Sequence, residues 1–246
     1  MTRLRDTRSV ATLAVLCAAL TGCASGTADA GRATSPEPRS LRPATATATA
    51  SSTPAASPTP RDSASRGHEP HRVWKATGRF RRAGGGSERF GHGRPRRYLV
   101  KVETGIDVRP AAFAHAVDAT LGDRRSWTAE GFAYRRVHRG RVDFRVLLAA
   151  PKTVNRLCAP LRTHGDLSCS VGNRAVLNAK RWLRGARAYR GDLTGYRQYL
   201  VNHEVGHVLG HSHRQCPRKG ALAPVMMQQT ISIGACRKNP WPHPHR

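Results

Sequence analysis

Three histidines and one glutamate near the C-terminus have the types and the spacing of a metal centre that performs hydrolysis. Residues 203–213 read His-Glu-Val-Gly-His-Val-Leu-Gly-His-Ser-His. On a helix, residues four apart lie on one face, so His203 and His207 can bind the same ion. Two imidazoles supply half of a tetrahedral zinc site.

Glu204 and His213 complete this predicted centre. Glu204 follows His203, so its carboxylate points beside the ligands and can reach a water on the metal. Gly210 permits a left-handed turn that ends the helix and returns His213 to the ion. Three protein ligands with water in the fourth position are typical of catalytic zinc, so we expect Zn²⁺ as the cofactor. His211 is an alternative third ligand, but the spacing favours His213.

The string resembles the metzincin signature, His-Glu-x-x-His-x-x-Gly-x-x-His, at His203, Glu204, His207, Gly210 and His213. The resemblance implies a zinc metallopeptidase with an α/β (α+β) fold. Such a fold has a mixed twisted sheet, a backing helix, an active-site helix and a small irregular C-terminal subdomain. The stretch from about residue 95 to 242 is similar to a poorly characterised family of exported metzincin-like domains and lipoproteins from Gram-positive bacteria.

Metzincins also carry a methionine in a tight turn beneath the zinc. Met226, in the sequence Pro-Val-Met-Met-Gln over 224–228, is the candidate for this Met-turn. Many metzincins have a tyrosine shortly after the turn, but Gln228 and Gln229 stand there in this chain. The residue that takes the place of that tyrosine is therefore open.

The resemblance assigns the function. It implies a zinc-dependent endopeptidase that acts on peptide or protein substrates at the cell envelope, with zinc-bound water activated by Glu204. An edge strand at 167–171 or 175–178 would bind the substrate in extended form. The alternative is a non-cleaving, zinc-stabilised envelope-binding or scaffold lipoprotein, which would have no need of Glu204.

Periodicity predicts the elements that must position these residues. Strands are expected at 98–103, at 132–137 and 142–148 around a turn at Arg139-Gly140, and at 167–171 and 175–178 around Gly172-Asn173. Helices are expected from Pro110 to about Leu121 and from 193 to 209. Asp192 or Thr194 is the candidate N-cap of the second helix. The order of these elements indicates a mixed α/β layout.

Six cysteines are present. Cys17 lies in the export signal described below and Cys23 in a lipidation site, which leaves four. An even number in an exported domain predicts two disulfides, and four cysteines allow three pairings. Proximity in sequence favours Cys158–Cys169 and Cys216–Cys236. A four-cysteine zinc site is disfavoured because no Cys-x-x-Cys spacing occurs.

The N-terminus predicts export. Residues 1–22 combine three arginines with a short apolar run and read as a lipoprotein signal peptide. The run ends Leu-Thr-Gly-Cys, which resembles a bacterial lipobox with Cys23 as the lipidated residue. We therefore expect a protein anchored by lipid to the outer face of the plasma membrane, or secreted if the lipobox is not used. Residues 23–94, rich in Pro, Ser, Thr and Ala and then in Arg and Gly, predict a disordered linker before a domain at 95–246.

The chain carries a formal net charge of +27. Arginine outnumbers lysine 36 to 6, which favours a GC-rich coding bias over selection for one ligand. No helix-turn-helix, finger or RNA-binding signature occurs, so we expect no specific nucleic-acid partner. Anionic cell-wall polymers remain possible partners, beside the peptide or protein substrate and the membrane.

Overall fold

The computed structural model describes residues 74–246. The expected signal peptide, the lipidation site Cys23 and residues 23–73 of the expected linker lie outside the described residues. The described chain has a mixed α/β fold, in which one twisted sheet has helices on both faces.

The sheet has six strands, and four α-helices flank it. The strands are β1 Phe80–Arg82, β2 Arg96–Glu103, β3 Tyr134–Arg136, β4 Phe144–Ala149, β5 Cys169–Val171 and β6 Arg174–Asn178. The helices are α1 Pro110–Gly122, α2 Pro151–Cys158, α3 Ala179–Arg184 and α4 Leu193–Val208, with single 3-10 turns at Trp127–Glu130 and Arg187–Tyr189. None of the helices within residues 74–246 is both long enough and apolar enough to cross a bilayer.

The sheet is parallel in its centre and antiparallel at both edges. Its order is β1-β2-β4-β6-β5, and β2, β4 and β6 run parallel. β1 and β5 pair antiparallel with their neighbours, while β3 pairs parallel with the first residues of β2. One edge of β5 faces β6, and no other described strand covers its second edge.

Successive side chains of β4 point to opposite faces of the sheet and belong to two separate hydrophobic cores. Phe144, Val146 and Leu148 belong to the large core that contains residues of α1 and α4. Leu147 and Ala149 face the other way and pack in a smaller core with α2. A strand covered on both faces needs apolar residues at successive positions, which explains the run Val-Leu-Leu-Ala over 146–149.

The strands expected at 132–137 and 142–148 correspond to β3 and β4, but they do not form a hairpin. Both pair in parallel with β2, and Tyr98 has Arg136 as its partner on one side and Phe144 on the other. The hairpin expected at 167–171 and 175–178 is present as β5 and β6, with Gly172 at φ +57° in the turn.

The expected linker over 23–94 is wrong for residues 74–94, which belong to the domain. β1 lies in this segment, and the carboxylate of Glu103 holds the chain just before it. This carboxylate is fully buried and accepts hydrogen bonds from the Thr77 and Gly78 amides at 2.7 and 2.6 Å. It also accepts from the Ala150 amide and the Thr153 hydroxyl, both at 2.7 Å. Four donors compensate the cost of burying the charge.

The glycine run at 84–86 is ordered by one arginine. The guanidinium of Arg136 donates to the carbonyl oxygens of Gly84, Gly85 and Gly86 and pairs with Asp118 at 2.8 Å. Because glycine has no side chain and adopts many backbone conformations, a run of glycines does not by itself predict an ordered segment. The order comes from an arginine some fifty positions along the chain, with which the run is in contact.

The residues after α4 form the irregular C-terminal region that was expected. Within 209–246 the structure has no helix or strand, apart from one isolated bridge between Leu222 and Arg237. Buried hydrogen bonds from Tyr199 and Asn202 hold this region against α4, and the Cys216–Cys236 disulfide closes a loop within it.

Candidate metal centre

α4 carries the first residues of the site. The helix expected at 193–209 spans Leu193–Val208, and Asp192 is its N-cap because its Oδ1 accepts from the Gly195 amide at 2.8 Å. Every residue from Tyr199 to Gly206 is buried. The helix therefore lies inside the protein, and the side chains of His203 and Glu204 are placed by packing on all sides.

Gly210 ends the helix as expected. Its φ is +100°, its amide donates to the carbonyl of His207 at 3.0 Å, and the amide of His211 donates to Gly206 at 3.0 Å. This pair of bonds is the Schellman arrangement, in which a residue with positive φ reverses the chain. The reversal directs residues 211–213 back towards the metal-binding face of α4.

The structure brings the three predicted ligands together. One nitrogen from each of His203, His207 and His213 lies within 4.8 Å of the other two, so the set can hold a metal ion. The Nε2 atoms of His207 and His213 are 3.1 Å apart. Two nitrogen ligands of a tetrahedral zinc, each ~2.0–2.1 Å from the ion, are about 3.3 Å apart, so the spacing fits zinc.

Backbone carbonyls orient two of these imidazoles. The Nδ1 of His203 donates to the carbonyl of Val225 at 2.9 Å, and the Nδ1 of His207 donates to the carbonyl of His211 at 2.8 Å. With the proton held at Nδ1, the lone pair is at Nε2. This fixed tautomer is the usual condition of a metal-binding histidine.

Loss of hydration favours the neutral form of the three histidines. Loss of hydration lowers the pKa of His203 to about 3, and it also lowers the pKa of His207 and of His213. Only the neutral imidazole binds a metal. The neutral, metal-binding form of these side chains is therefore favoured at neutral pH.

His211, the alternative third ligand, has another role in the structure. Its ring stacks on Trp127 with centroids 4.3 Å apart, and its Nε2 lies 3.3 Å from a carboxylate oxygen of Glu130. Its carbonyl oxygen orients His207. The structure thus places His213 at the cluster and His211 beside it.

Glu204 is a buried carboxyl group beside the histidines. Its side chain is 4% exposed, and its Oε2 has no hydrogen-bond partner. Burial raises the pKa of Glu204 to about 8. A buried polar oxygen without a partner is costly, so its retention here points to a ligand or a reacting group that the carboxylate serves.

The raised pKa predicts how the metal-free protein responds to pH. The folded state favours the protonated carboxyl group of Glu204. Its contribution to the free energy of unfolding is fully present below pH 4.5, the ordinary pKa of the group, and is lost as the pH rises through about 8. Glu204→Gln stays neutral and lacks this loss. We expect the unfolding free energy of metal-free Glu204→Gln to rise relative to wild type across this interval, in urea titrations with chelator.

The exposed Glu88→Gln provides the matched control, because Glu88 lies on the surface. Its unfolding free energy should follow that of wild type at every pH. Parallel curves for wild type and Glu204→Gln would contradict a raised pKa at Glu204.

Met226 lies in a tight turn packed against α4. The amide of Met227 closes the turn by donating to Pro224 at 2.9 Å, and the carbonyl of Met226 accepts from the Arg214 amide at 3.0 Å. Met226 is 4% exposed and belongs to the large core. Since the neighbouring Val225 carbonyl orients His203, this turn positions one ligand through its backbone.

At Gly206 the turn that carries Met226 packs closely against α4. A Cβ atom at Gly206 would lie 2.5 Å from the Sδ of Met226 and 2.6 Å from the Cζ2 of Trp127. Such distances require the neighbours to move. The absence of a side chain at 206 therefore allows Met226 to pack directly beneath the helix.

Gly206→Ala should destabilise the protein although alanine is the better helix former. The gain in helix propensity is about 1 kcal/mol, whereas overpacking costs about 1–3 kcal/mol, and the shift of Met226 disturbs His203. We expect a lower melting temperature and weaker zinc binding. Gly84→Ala is the control, because a Cβ there meets nothing within 4 Å. Equal melting temperatures and zinc affinities for the two variants would contradict this packing.

Gln229 connects the turn to the C-terminal tail. Its fully buried amide donates to the carbonyls of Pro224 and Asn239 at 3.2 and 2.7 Å and accepts from the Tyr189 hydroxyl at 2.9 Å. Its backbone amide donates to the Tyr199 hydroxyl at 2.9 Å. Gln229 therefore links α4, the Met226 turn and the C-terminal tail through hydrogen bonds. The exposed Gln228 instead lines the cleft.

A cleft of about 460 Å³ contains the cluster. It is lined by the segments Leu161–Thr163 and Leu167–Ser170 with Gly172, by Gln228, Thr230 and Ile231 after the Met226 turn, and by Tyr199, His203, Glu204, His207 and His213. Leu161 and Ile231 are the large apolar side chains exposed in the described chain, at 56% and 61%. Both lie in this cleft, and sequence periodicity had not singled out either.

Both favoured disulfides are present. Cys158–Cys169 joins the end of α2 to β5, and Cys216–Cys236 joins the chain after His213 to the C-terminal region. The predicted pairing is confirmed. A disulfide restricts the unfolded chain and contributes about 2–4 kcal/mol.

The same portion of the chain defines its family. The family model for DUF3152, described as a protein of unknown function, matches residues 69–244. The chain belongs to the DUF3152 family. No curated protein and no solved structure matches it at a significant level. In this DUF3152 domain, the match covers all described strands and helices, both disulfides and the three histidines.

Proposed function

We propose that this DUF3152 protein is a zinc-dependent endopeptidase of the metzincin type. The observation that carries the proposal is the buried Glu204 carboxyl, whose Oε2 lacks a partner, beside three histidines at the base of an open cleft. A purely structural metal site closes the coordination shell with protein ligands, usually four. Three ligands and a neighbouring carboxylate are instead the groups that hydrolysis needs.

His203, His207 and His213 would hold the ion through Nε2. Zinc, when bound, supplies a Lewis acid that polarises a carbonyl group and lowers the pKa of water towards ~7. The Val225 and His211 carbonyls keep the histidine rings in the binding orientation. Other divalent metals also bind such a set, and the choice of zinc rests on the ligand types.

Glu204 would act as the general base and then as the general acid. Its carboxylate takes a proton from the attacking water and returns it to the leaving amine of the peptide. Burial brings the pKa of Glu204 to about 8 before any cation is present. A pKa close to the working pH suits a group that must both accept and donate a proton.

The substrate would lie in extended form along β5. Cys169 and Ser170 of β5 line the cleft, one edge of β5 is uncovered among the described strands, and an extended peptide can pair with such an edge through its backbone. Leu161 and Ile231 would contact apolar side chains of the substrate, since both are exposed within the cleft. We therefore propose peptides or proteins with large apolar residues beside the cleaved bond.

The proposed location is the cell envelope. Two disulfides within the domain favour an oxidising compartment. The export signal and the lipid anchor at Cys23 belong to this proposal as sequence predictions.

The test is cleavage of a diverse peptide library by the full chain. We expect cleavage after loading with zinc, loss of cleavage with chelator, and recovery when zinc is added back. A zinc-stabilised scaffold would gain thermal stability with zinc but cleave nothing, and this outcome would overturn the proposal. Cleavage that is indifferent to chelator would overturn it as well.

A further inference from the structure

A second concave site, separate from the metal cleft, has a strongly basic lining. It has a volume of about 510 Å³ and is formed by α3, the following 3-10 turn and the start of α4. Five cationic side chains line it: Lys180, Arg181, Arg184, Arg187 and Arg190. No carboxylate is part of the lining. This volume is within the range of small-molecule sites, roughly 300–1,000 Å³.

The nearest carboxylates are already paired. Asp166 contacts Lys180 at 2.5 Å and Arg181 at 3.5 Å, and Asp192 contacts Lys238 at 2.8 Å. Arg184 lies over the ring of Trp74. The charge of the remaining guanidinium groups is therefore not neutralised by these acids.

Arg187 and Arg190 are free to bind a ligand. Both are exposed, and neither side chain has a hydrogen bond, ion pair or ring contact with the residues the structure describes. They are three positions apart, at the start and just after the end of the 3-10 turn, and both line the same concavity. Guanidinium groups bind phosphate oxygens through two parallel hydrogen bonds, which makes arginine clusters in a cavity suited to phosphate groups.

We propose that this basic pocket, lined by residues between 180 and 193, binds a chain of linked phosphate groups that lacks bases. Tyr189 is the lining aromatic residue, and at 2% exposure it offers no face on which a base could stack. The large apolar side chains exposed in the described chain lie at the metal cleft rather than here, so the pocket has no group to insert into a bilayer.

The test compares two variants of equal charge in the full chain. Arg187→Gln/Arg190→Gln removes two cations from the pocket, and Arg89→Gln/Arg94→Gln removes two exposed cations that do not line it. The probe is tripolyphosphate, measured by calorimetry at physiological ionic strength. We expect the pocket variant to raise Kd at least about tenfold, because two charge-assisted contacts are lost, and the control to stay within about threefold.

Melting temperature and zinc content verify that both variants are folded. Equal weakening by the two variants would overturn the proposal, because it indicates diffuse attraction by net charge. It would also be overturned if the pocket variant lost binding to an oligodeoxythymidine or to phosphatidylglycerol vesicles while its affinity for tripolyphosphate was unchanged.

Discussion

Glu204→Gln should lose peptide hydrolysis while keeping its metal. Glutamine has nearly the same shape as glutamate but cannot take a proton from water. Since general base catalysis contributes about 10²–10⁴-fold, we expect kcat to fall by about a thousandfold. The metal should stay because the three histidines and their carbonyl partners are unchanged.

The measurement is the rate of cleavage of a peptide selected from the library, with metal content determined on the same sample. Glu88→Gln is the control, an exposed carboxylate outside the cleft. A fully metal-loaded Glu204→Gln enzyme that cleaves at the wild-type rate would exclude Glu204 as the base. Loss of metal together with activity would instead assign Glu204 to the ligands.

The second large effect concerns the choice between two neighbouring histidines. His213→Ala should weaken zinc binding by about a hundredfold or more, because a three-ligand site loses one ligand. His211→Ala should change zinc affinity much less, since its backbone carbonyl still orients His207. Competition titration against a chromophoric chelator measures both.

His211→Ala also serves as the matched control for folding. It removes the stacking contact with Trp127 and the contact with Glu130, so its melting temperature should fall modestly. If His211→Ala lost zinc and His213→Ala retained it, the ligand assignment would be reversed.

The metal centre was the part of the fold most accessible from sequence. The four-residue interval of His203 and His207 follows from helix geometry, and Gly210 marks the turn that returns His213. These signals are local, and the disulfide pairing was likewise found from cysteines that are near in sequence. Features that depend on the spacing of residues near in sequence can therefore be predicted from one sequence.

The N-terminal boundary could not be found in this way. Residues 74–94 have few apolar side chains and many glycines and arginines, which is the composition of a linker. Their order comes from Glu103 and Arg136, which bind their backbone from distant strands. Backbone groups are the same at every position, so no sequence pattern marks which of them will be bound.

The supports of the site were missed for the same reason. His203 and His207 are oriented by backbone carbonyl oxygens that accept from their Nδ1 atoms, and the side-chain identity of the accepting residues, Val225 and His211, does not matter for that contact. Gln228 and Gln229 stand where many metzincins have a tyrosine, which left the role of both residues open, and the buried amide of Gln229 links the turn to the tail. Such roles follow from tertiary structure alone.

The contacts of the C-terminal tail determine when the site can form during synthesis. Asn202, the residue before His203, donates to the carbonyl of Pro240, and Gln229 binds both the amide and the carbonyl of Asn239. Residues 239 and 240 follow the last ligand, His213, in the chain, and domains fold as units once their chain is available. The histidines therefore reach their final positions only after residues 239 and 240 have been synthesised, so a nascent chain that ends between His213 and Asn239 holds the ligands without their complete support.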